Sequence, residues 1–300
     1  MEKSKTPAIL ITGATGNIGT ELTKLLVHQK VPFRAMVREI KDAKELTDLE
    51  GVEVVSGDFN NAQSVAEALR GIERAFLLTN SSEQAETQQI AFVEAAQRAG
   101  IKHIVKLSQW AADANSPVRF LRYHAAVERK IKDSGIAYTF LRPNLFMQGL
   151  LGFKDLIVKQ GKFFAAIGDA KISAVDVRDI ASVAAAALTE SGHERKIYNL
   201  TGAEALTHQE MAEKLSKALD RRIEFVDVPP EAMREGLKSA GFPNWQADGL
   251  IEDYAHYARG AAAEIASGVK DAIGKPLGTF DDFARDYASA FNFSSNRLTK

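Results

Sequence analysis

A chain of 300 residues, 45% hydrophobic and 26% charged, has the composition of a globular α/β protein built as one large domain or as a nucleotide domain with a smaller partner. The formal net charge of −1 gives no broad electrostatic footprint for nucleic acid or for an anionic membrane. The absence of cysteine excludes disulfides, thiolate metal sites and a cysteine nucleophile, and with no metal-ligating motif no metal is expected.

No apolar run approaches membrane-spanning length, and Met1-Glu2-Lys3-Ser4-Lys5 is not followed by a signal-peptide hydrophobic region, so the expected location is the cytoplasm. Residues 8–19, Ala8-Ile9-Leu10-Ile11-Thr12-Gly13-Ala14-Thr15-Gly16-Asn17-Ile18-Gly19, run from an apolar strand into a Gly-x-x-Gly-x-x-Gly turn. Ile18, Leu22, Leu25 and Leu26 then fall on one helical face. Strand, phosphate loop and helix follow in order: Gly13 for the sharp turn, Gly16 for close approach to a pyrophosphate, Gly19 for packing of the helix. The helix N-terminus adds free N–H groups and a positive dipole end, so a dinucleotide is the expected ligand.

Val31–Arg38 reads as the second strand, with Pro32 tolerable at its start. An NAD-selective site usually places Asp or Glu about 20 residues after the glycines, on the ribose 2′-hydroxyl. Here Arg38 stands at that point, followed by Lys41 and Lys44, which suits a 2′-phosphate and favours NADP(H) over NAD(H). Gly51–Asp58 is a third strand; Asp58 could accept from an adenine amino group or cap the helix from about Ala62 to Leu69. Arg74–Thr79 is the fourth strand, Glu86–Ala99 a helix closed by Gly100, and Lys102–Ser108 the fifth strand. Alternating strands and helices imply a doubly wound parallel sheet, with Gly13, Arg38, Thr79 and Ser108 along the edge where ligands bind.

Gly-Ala-Thr-Gly-Asn-Ile-Gly at 13–19, Met36-Val37-Arg38, Gly57-Asp58-Phe59 and Leu141-Arg142-Pro143-Asn144-Leu145-Phe146 together resemble the NmrA-like group of atypical short-chain dehydrogenases. So do residues 174–181 and Tyr198-Asn199-Leu200-Thr201-Gly202. The resemblance runs nearly end to end and is closest to the NADPH-dependent quinone and triphenylmethane-dye reductases. It implies a Rossmann-type fold with residues 1–150 as the NADP(H)-binding domain, rejoined by roughly 171–202, and a smaller α/β C-terminal substrate or lid domain from 151–170 and 203–300. It also implies a cofactor set of Gly13, Thr15, Gly16, Asn17, Ile18, Gly19, Arg38, Asp58, Phe59, Leu78, Thr79, Ser108, Pro143 and Asn144. Flat surface for an aromatic or quinone acceptor would come from Trp110, Phe146, Met147 and Trp245.

Many short-chain dehydrogenases carry Tyr-x-x-x-Lys after strand five, the lysine lowering the tyrosine pKa so that it can protonate an alkoxide. Here Val127 occupies the position four after Tyr123, and Lys130 comes at seven, about 10 Å along the axis. A quinone or an extended cationic dye can accept hydride without that dyad, so an NADPH-dependent reductase of flat conjugated acceptors is expected. A non-catalytic NADP(H)-sensing regulator with a protein partner is the alternative. His124 and Glu128 share a helical face: His124 could hydrogen-bond the acceptor while Glu128 orients its ring, or the two form an exposed ion pair. Ser108 could sit near the nicotinamide or simply open a loop.

Beyond Leu150 the pattern loosens. Thr207–Glu210 reads as a capping box opening a helix to Leu219, Ile223–Val228 as a strand, and the Gly241–Trp245 interruption as a lid or a plain helix–helix turn. Thr279 caps the last helix. Oligomeric state is open, a homodimer included.

Overall fold

The computed structural model describes residues 7–292. Nine strands occur among them: β1 Ile9–Thr12, β2 Phe33–Val37, β3 Val52–Ser56, β4 Arg74–Leu77, β5 His103–Leu107, β6 Ala137–Pro143, β7 Lys162–Ala165, β8 Lys196–Leu200 and β9 Glu224–Asp227. Seven form one parallel sheet in the order β3-β2-β1-β4-β5-β6-β8, and β7 pairs with β9 in a second, two-stranded parallel sheet. The large sheet is therefore the doubly wound Rossmann-type arrangement, its strand order reversing between β1 and β4.

Both faces of that sheet are covered, which is why β1, β2 and β5 are buried throughout, their mainly apolar sequences interrupted by Arg34 in β2 and by His103 and Lys106 in β5. Helices Asn17–His28 and Val177–Thr189 pack together on one side, and Ala62–Ala68, Ala85–Ala99 and Arg119–Asp133 follow one another on the other. The alanines of Val177–Thr189 let it lie close: Ala181, Ala184, Ala185 and Ala187 are all buried. On the opposite side Leu10, Leu77, Ile104 and Phe140 of the strands meet Val65, Phe92, Val93, Val127 and Ile131 of the helices.

The chain divides into two compact units. The first comprises 1–143, 177–200 and 266–276; the second comprises 144–176, 201–265 and 277–300. The expected boundaries shift accordingly: residues 144–150, 171–176 and 201–202 belong to the second unit. The segment 266–276 belongs to the first, because helix Gly268–Ile273 seats Gly268 on the backbone of β8, where an added Cβ would come 2.1 Å from the Asn199 carbonyl oxygen.

In the second unit β7 and β9 share a core with helices His208–Leu219 and Phe280–Asp286, built from Ile157, Phe163, Leu215, Phe280, Phe283 and Phe291. The Thr207 capping box forms as read, with Glu210 returning the bond, and Thr279 caps its helix through the Asp282 N–H. Residues 240–243 form a helix–helix turn, and Asn244 and Trp245 already open the next helix. Helix Pro230–Ser239 closes through Gly241, at φ +87°, and the Phe242 N–H returns to the Leu237 carbonyl before helix Asn244–Ala258 begins.

Candidate active site at the carboxyl edge of the sheet

In the first unit, the ends of β3, β2, β1, β4, β5 and β6 set Asp58, Arg38, Gly13, Leu78 with Thr79, Ser108 and Pro143 along one edge. At its centre Thr12 ties the exits of β1 and β4: its Oγ1 accepts the Leu78 N–H at 2.8 Å and lies 2.9 Å from the Phe76 carbonyl. Gly13 turns the chain at φ +65°, where an added Cβ would also meet Leu78 Cδ2 at 2.9 Å. A Cβ on Gly19 would lie 2.0 Å from the Gly13 carbonyl oxygen, so the helix can sit against the loop only without one. A Cβ on Gly16 meets nothing closer than 3.4 Å.

Gly16 is the N-cap and makes no side-chain cap bond; the first helical hydrogen bond runs from the Thr20 N–H to the Gly16 carbonyl. The N–H groups of Asn17, Ile18 and Gly19 precede that bond and have no helical acceptor. Thr15, Gly16 and Asn17 are exposed, whereas Ile18 and Gly19 are buried beneath them. An exposed loop, a close-packed helix start and a row of donors unclaimed by any cap fit a dinucleotide pyrophosphate.

Arg38 follows β2 as an exposed side chain, with Lys41 and Lys44 exposed after it; its carbonyl accepts from Ser56 Oγ at 3.0 Å, which fixes the backbone at the strand exit. Asp58 does not cap the next helix. Asn61 does, accepting from the N–H groups of Gln63 and Ser64, while Asp58 closes a local turn on the Asn60 N–H at 2.8 Å. Phe59 is half-buried against Phe92, ring centroids 5.7 Å apart. Thr79 Oγ1 accepts from Gln89 Nε2 at 2.7 Å. Pro143 ends β6 and its carbonyl takes the N–H of the buried Trp110 at 2.8 Å.

Four of the expected side chains belong to the second unit. Asn144 is buried in the second unit, where Nδ2 donates to Ser173 Oγ and the Ala262 carbonyl, both at 2.9 Å, and Oδ1 takes the Leu145 N–H. Its amide is thereby engaged inside the second unit by the Ser173 side chain and by main-chain groups, which corrects its placement among cofactor ligands. Met147 is a core residue of the second unit, not acceptor-lining surface. Phe146 is half-buried and bridges to Val175 as a strand-like pair; Trp245 is half-buried in the first turn of helix Asn244–Ala258.

The polar centre lies where β5 and β6 meet helix Arg119–Asp133. His124 and Glu128 are buried, not an exposed pair, and Glu128 does not orient the His124 ring. Glu128 instead accepts from Ser108 Oγ at 2.6 Å and from Arg142 Nε at 2.9 Å and Nη2 at 2.5 Å. The partner of His124 is Lys106, with Nζ 2.7 Å from Nδ1 and 2.8 Å from the Leu107 carbonyl. Lys106 is fully buried. Burial draws its pKa down to about 7, with Glu128 opposing and Arg142 assisting the fall. Burial, followed by the nearby charges of Lys106 and Arg142, holds His124 neutral, its pKa well below the ordinary value.

Tyr123 is buried, its hydroxyl 3.1 Å from Ser81 Oγ, while Lys130 pairs with Glu94 at 2.7 Å. Lys106 and Arg142 were missed from the sequence. The available signal was a lysine inside an apolar strand of a sheet covered on both faces, where it has no solvent side to occupy. No group of three or more His, Cys, Asp or Glu side chains suited to a metal occurs among the described residues, and no helix there is long and apolar enough to cross a membrane.

Comparison with known proteins accords with this geometry. An NAD(P)H azoreductase of Xenophilus azovorans is 36% identical over 283 residues, 94% of this chain and 99% of that protein. The NADPH-dependent quinone oxidoreductase of Escherichia coli, solved with NADPH, superposes with a TM-score of 0.83 at 30% identity, covering 93% of this chain and 99% of that one. Citrobacter triphenylmethane reductase with NADP(H) gives 0.81 at 28% identity, covering 94% and 99%. The NmrA-like family profile matches residues 5–278, and the chain belongs to that family.

Proposed function

We propose that this protein is an NADPH-dependent reductase that passes hydride to a flat conjugated acceptor such as a quinone. The observation that carries the reading is the glycine loop at the strand-order reversal, whose uncapped helix start shares one strand edge with Ser108 and the buried polar centre beneath it. Support for the acceptor class comes from similarity to proteins named for azo, quinone and triphenylmethane-dye reduction.

When bound, NADPH supplies hydride from its nicotinamide ring. The chain's own part is placement. The N–H groups at Asn17–Gly19 would hold the pyrophosphate, and Arg38 the 2′-phosphate. Ser108, fixed by Glu128, would mark the nicotinamide end, and His124 would hydrogen-bond the acceptor. Rate enhancement then rests on holding donor and acceptor in contact, aided by a fixed polar environment.

Following reduced-nicotinamide absorbance with the purified protein, a panel of quinones and either NADPH or NADH tests this directly. Protein-dependent loss of NADPH, faster than of NADH, is expected. Tight NADP(H) binding with no turnover on any acceptor would overturn the reductase reading in favour of a nucleotide-sensing regulator.

A further inference from the structure

Lys106 is an anomaly for a structural residue: a lysine with no exposed surface in the centre of a parallel sheet, not in a salt bridge but hydrogen-bonded to a histidine. The carboxylate nearby, Glu128, is already engaged on both oxygens by Ser108 and Arg142. An ammonium has no lone pair and can only donate. With one N–H on the Leu107 carbonyl and another on His124 Nδ1, the charged lysine obliges that ring nitrogen to be bare and puts the imidazole proton on Nε2.

Nε2 meets no partner among the described residues, and it is not sealed from solvent as the unpartnered ring nitrogens of His103, His208 and His256 are. A ring with one nitrogen pinned by a proton source and the other presenting an open N–H is a two-ended proton conductor.

We propose that Lys106 is the positioning residue that fixes His124 with its proton on Nε2, and that the pair relays one proton to acceptors whose hydride adduct is an anion. The inference rests on the reductase reading and narrows it to neutral azo compounds and quinones as the class that uses the relay. The acceptor gains two electrons and hydrogen as hydride from NADPH, leaving negative charge on nitrogen or oxygen. That atom takes the Nε2 proton of His124 while Nδ1 takes a proton from Lys106, which is left as the neutral amine; after product leaves, Nε2 takes a proton from solvent and Nδ1 returns its own to Lys106, restoring both groups. The charged groups facing the pair are Glu128 from the same helix as His124 and Arg142 from β6, and these set how readily Lys106 gives up its proton. A cationic dye, neutralised by hydride alone, has no use for the relay.

The first test needs no variant and no nucleotide: nitrogen-15 correlation spectra of the histidine rings of the full chain at pH 6. A proton on His124 Nε2 is expected, and a proton on Nδ1 overturns the proposal. Lys106→Gln keeps a donor but has no transferable proton, and should retain the tautomer; Lys106→Met should release it. Both variants should lose on the order of 10² in turnover of a neutral azo dye with NADPH while retaining turnover of the cationic dye crystal violet. Equal losses on both dyes would reduce Lys106 to a structural residue. Should the unmodified protein reduce neither these dyes nor any quinone, the reductase reading fails, while the ring spectra still decide whether Lys106 sets the tautomer.

Discussion

Ser108 Oγ donates to Glu128 Oε1 at 2.6 Å, and the same carboxylate is forked by Arg142. One nearly inaccessible carboxylate thus joins the end of β5, the following helix and β6, its side chain only 3% exposed. Removing one partner from such a pair leaves the other charge uncompensated. Glu128→Leu should cost about 3 kcal/mol, at the low end for a buried pair because the guanidinium keeps some water contact. Glu128→Gln, which still accepts from Ser108, should cost less. Urea denaturation of the two variants side by side measures the difference.

Arg38 is exposed and follows β2 directly. Its replacement should not touch the core, so Arg38→Ala should unfold like the unmodified protein while binding NADPH on the order of tenfold more weakly, as loss of a charge-assisted phosphate contact implies. NADH binding should change little. Equal weakening of both nucleotides in fluorescence titrations would remove the 2′-phosphate role.

The glycines of the loop should separate by mutation. Gly19→Ala forces a Cβ to within 2.0 Å of a backbone oxygen, an overpacking that should cost about 3 kcal/mol or more. Gly16→Ala has room, at 3.4 Å from its nearest atom, and should cost about 1 kcal/mol or less in stability. If Gly16 faces a pyrophosphate, its variant should nevertheless bind NADPH poorly. Thermal melts with and without nucleotide separate the two effects.

His208 should make the protein acid-sensitive. It begins helix His208–Leu219 in the aromatic company of Phe163, Phe225 and Tyr254, and burial lowers its pKa to about 4. The unfolded chain, with an ordinary histidine, binds the extra proton between about pH 6.5 and 4, so stability falls as pH drops through that window. The linked loss is about 3 kcal/mol. His103, also lowered to about 4 by burial and Arg74, adds a similar slope. His208→Phe should remove its share, read as a smaller change in urea midpoint between pH 6.5 and pH 4 than in the unmodified protein.

The first unit was legible because its signals are local. Short apolar runs broken by glycine and polar turns located β2 to β5 within one or two residues at each end, and the family resemblance agreed with the glycine loop. The contacts of the polar centre were not legible. Lys106 and His124 stand 18 positions apart, Glu128 and Arg142 14, and only the packing of a helix over two strands makes them neighbours. Helical spacing correctly put His124 and Glu128 on one face but could not tell that β5 would supply the partner of His124, and the exit of β5 with β6 the partners of Glu128. Asn144 and Met147 misled for a related reason: their motif marks where β6 ends, but their side chains serve the core and backbone of the second unit. Likewise β7, one half of a parallel pair whose other half lies some 60 residues onward, carries no turn signal to announce it.

The chain passes between its two units five times, at 143/144, 176/177, 200/201, 265/266 and 276/277. During synthesis from the N-terminus, the nucleotide-binding sheet therefore cannot be completed when its first six strands have emerged. β8 arrives after residues 144–176 of the other unit, and the helix that seats Gly268 on it only after residues 201–265 as well. Nascent chains halted before residue 266 should expose the Asn199 backbone that this helix covers, leaving an unfinished sheet border open to chaperones or to another chain.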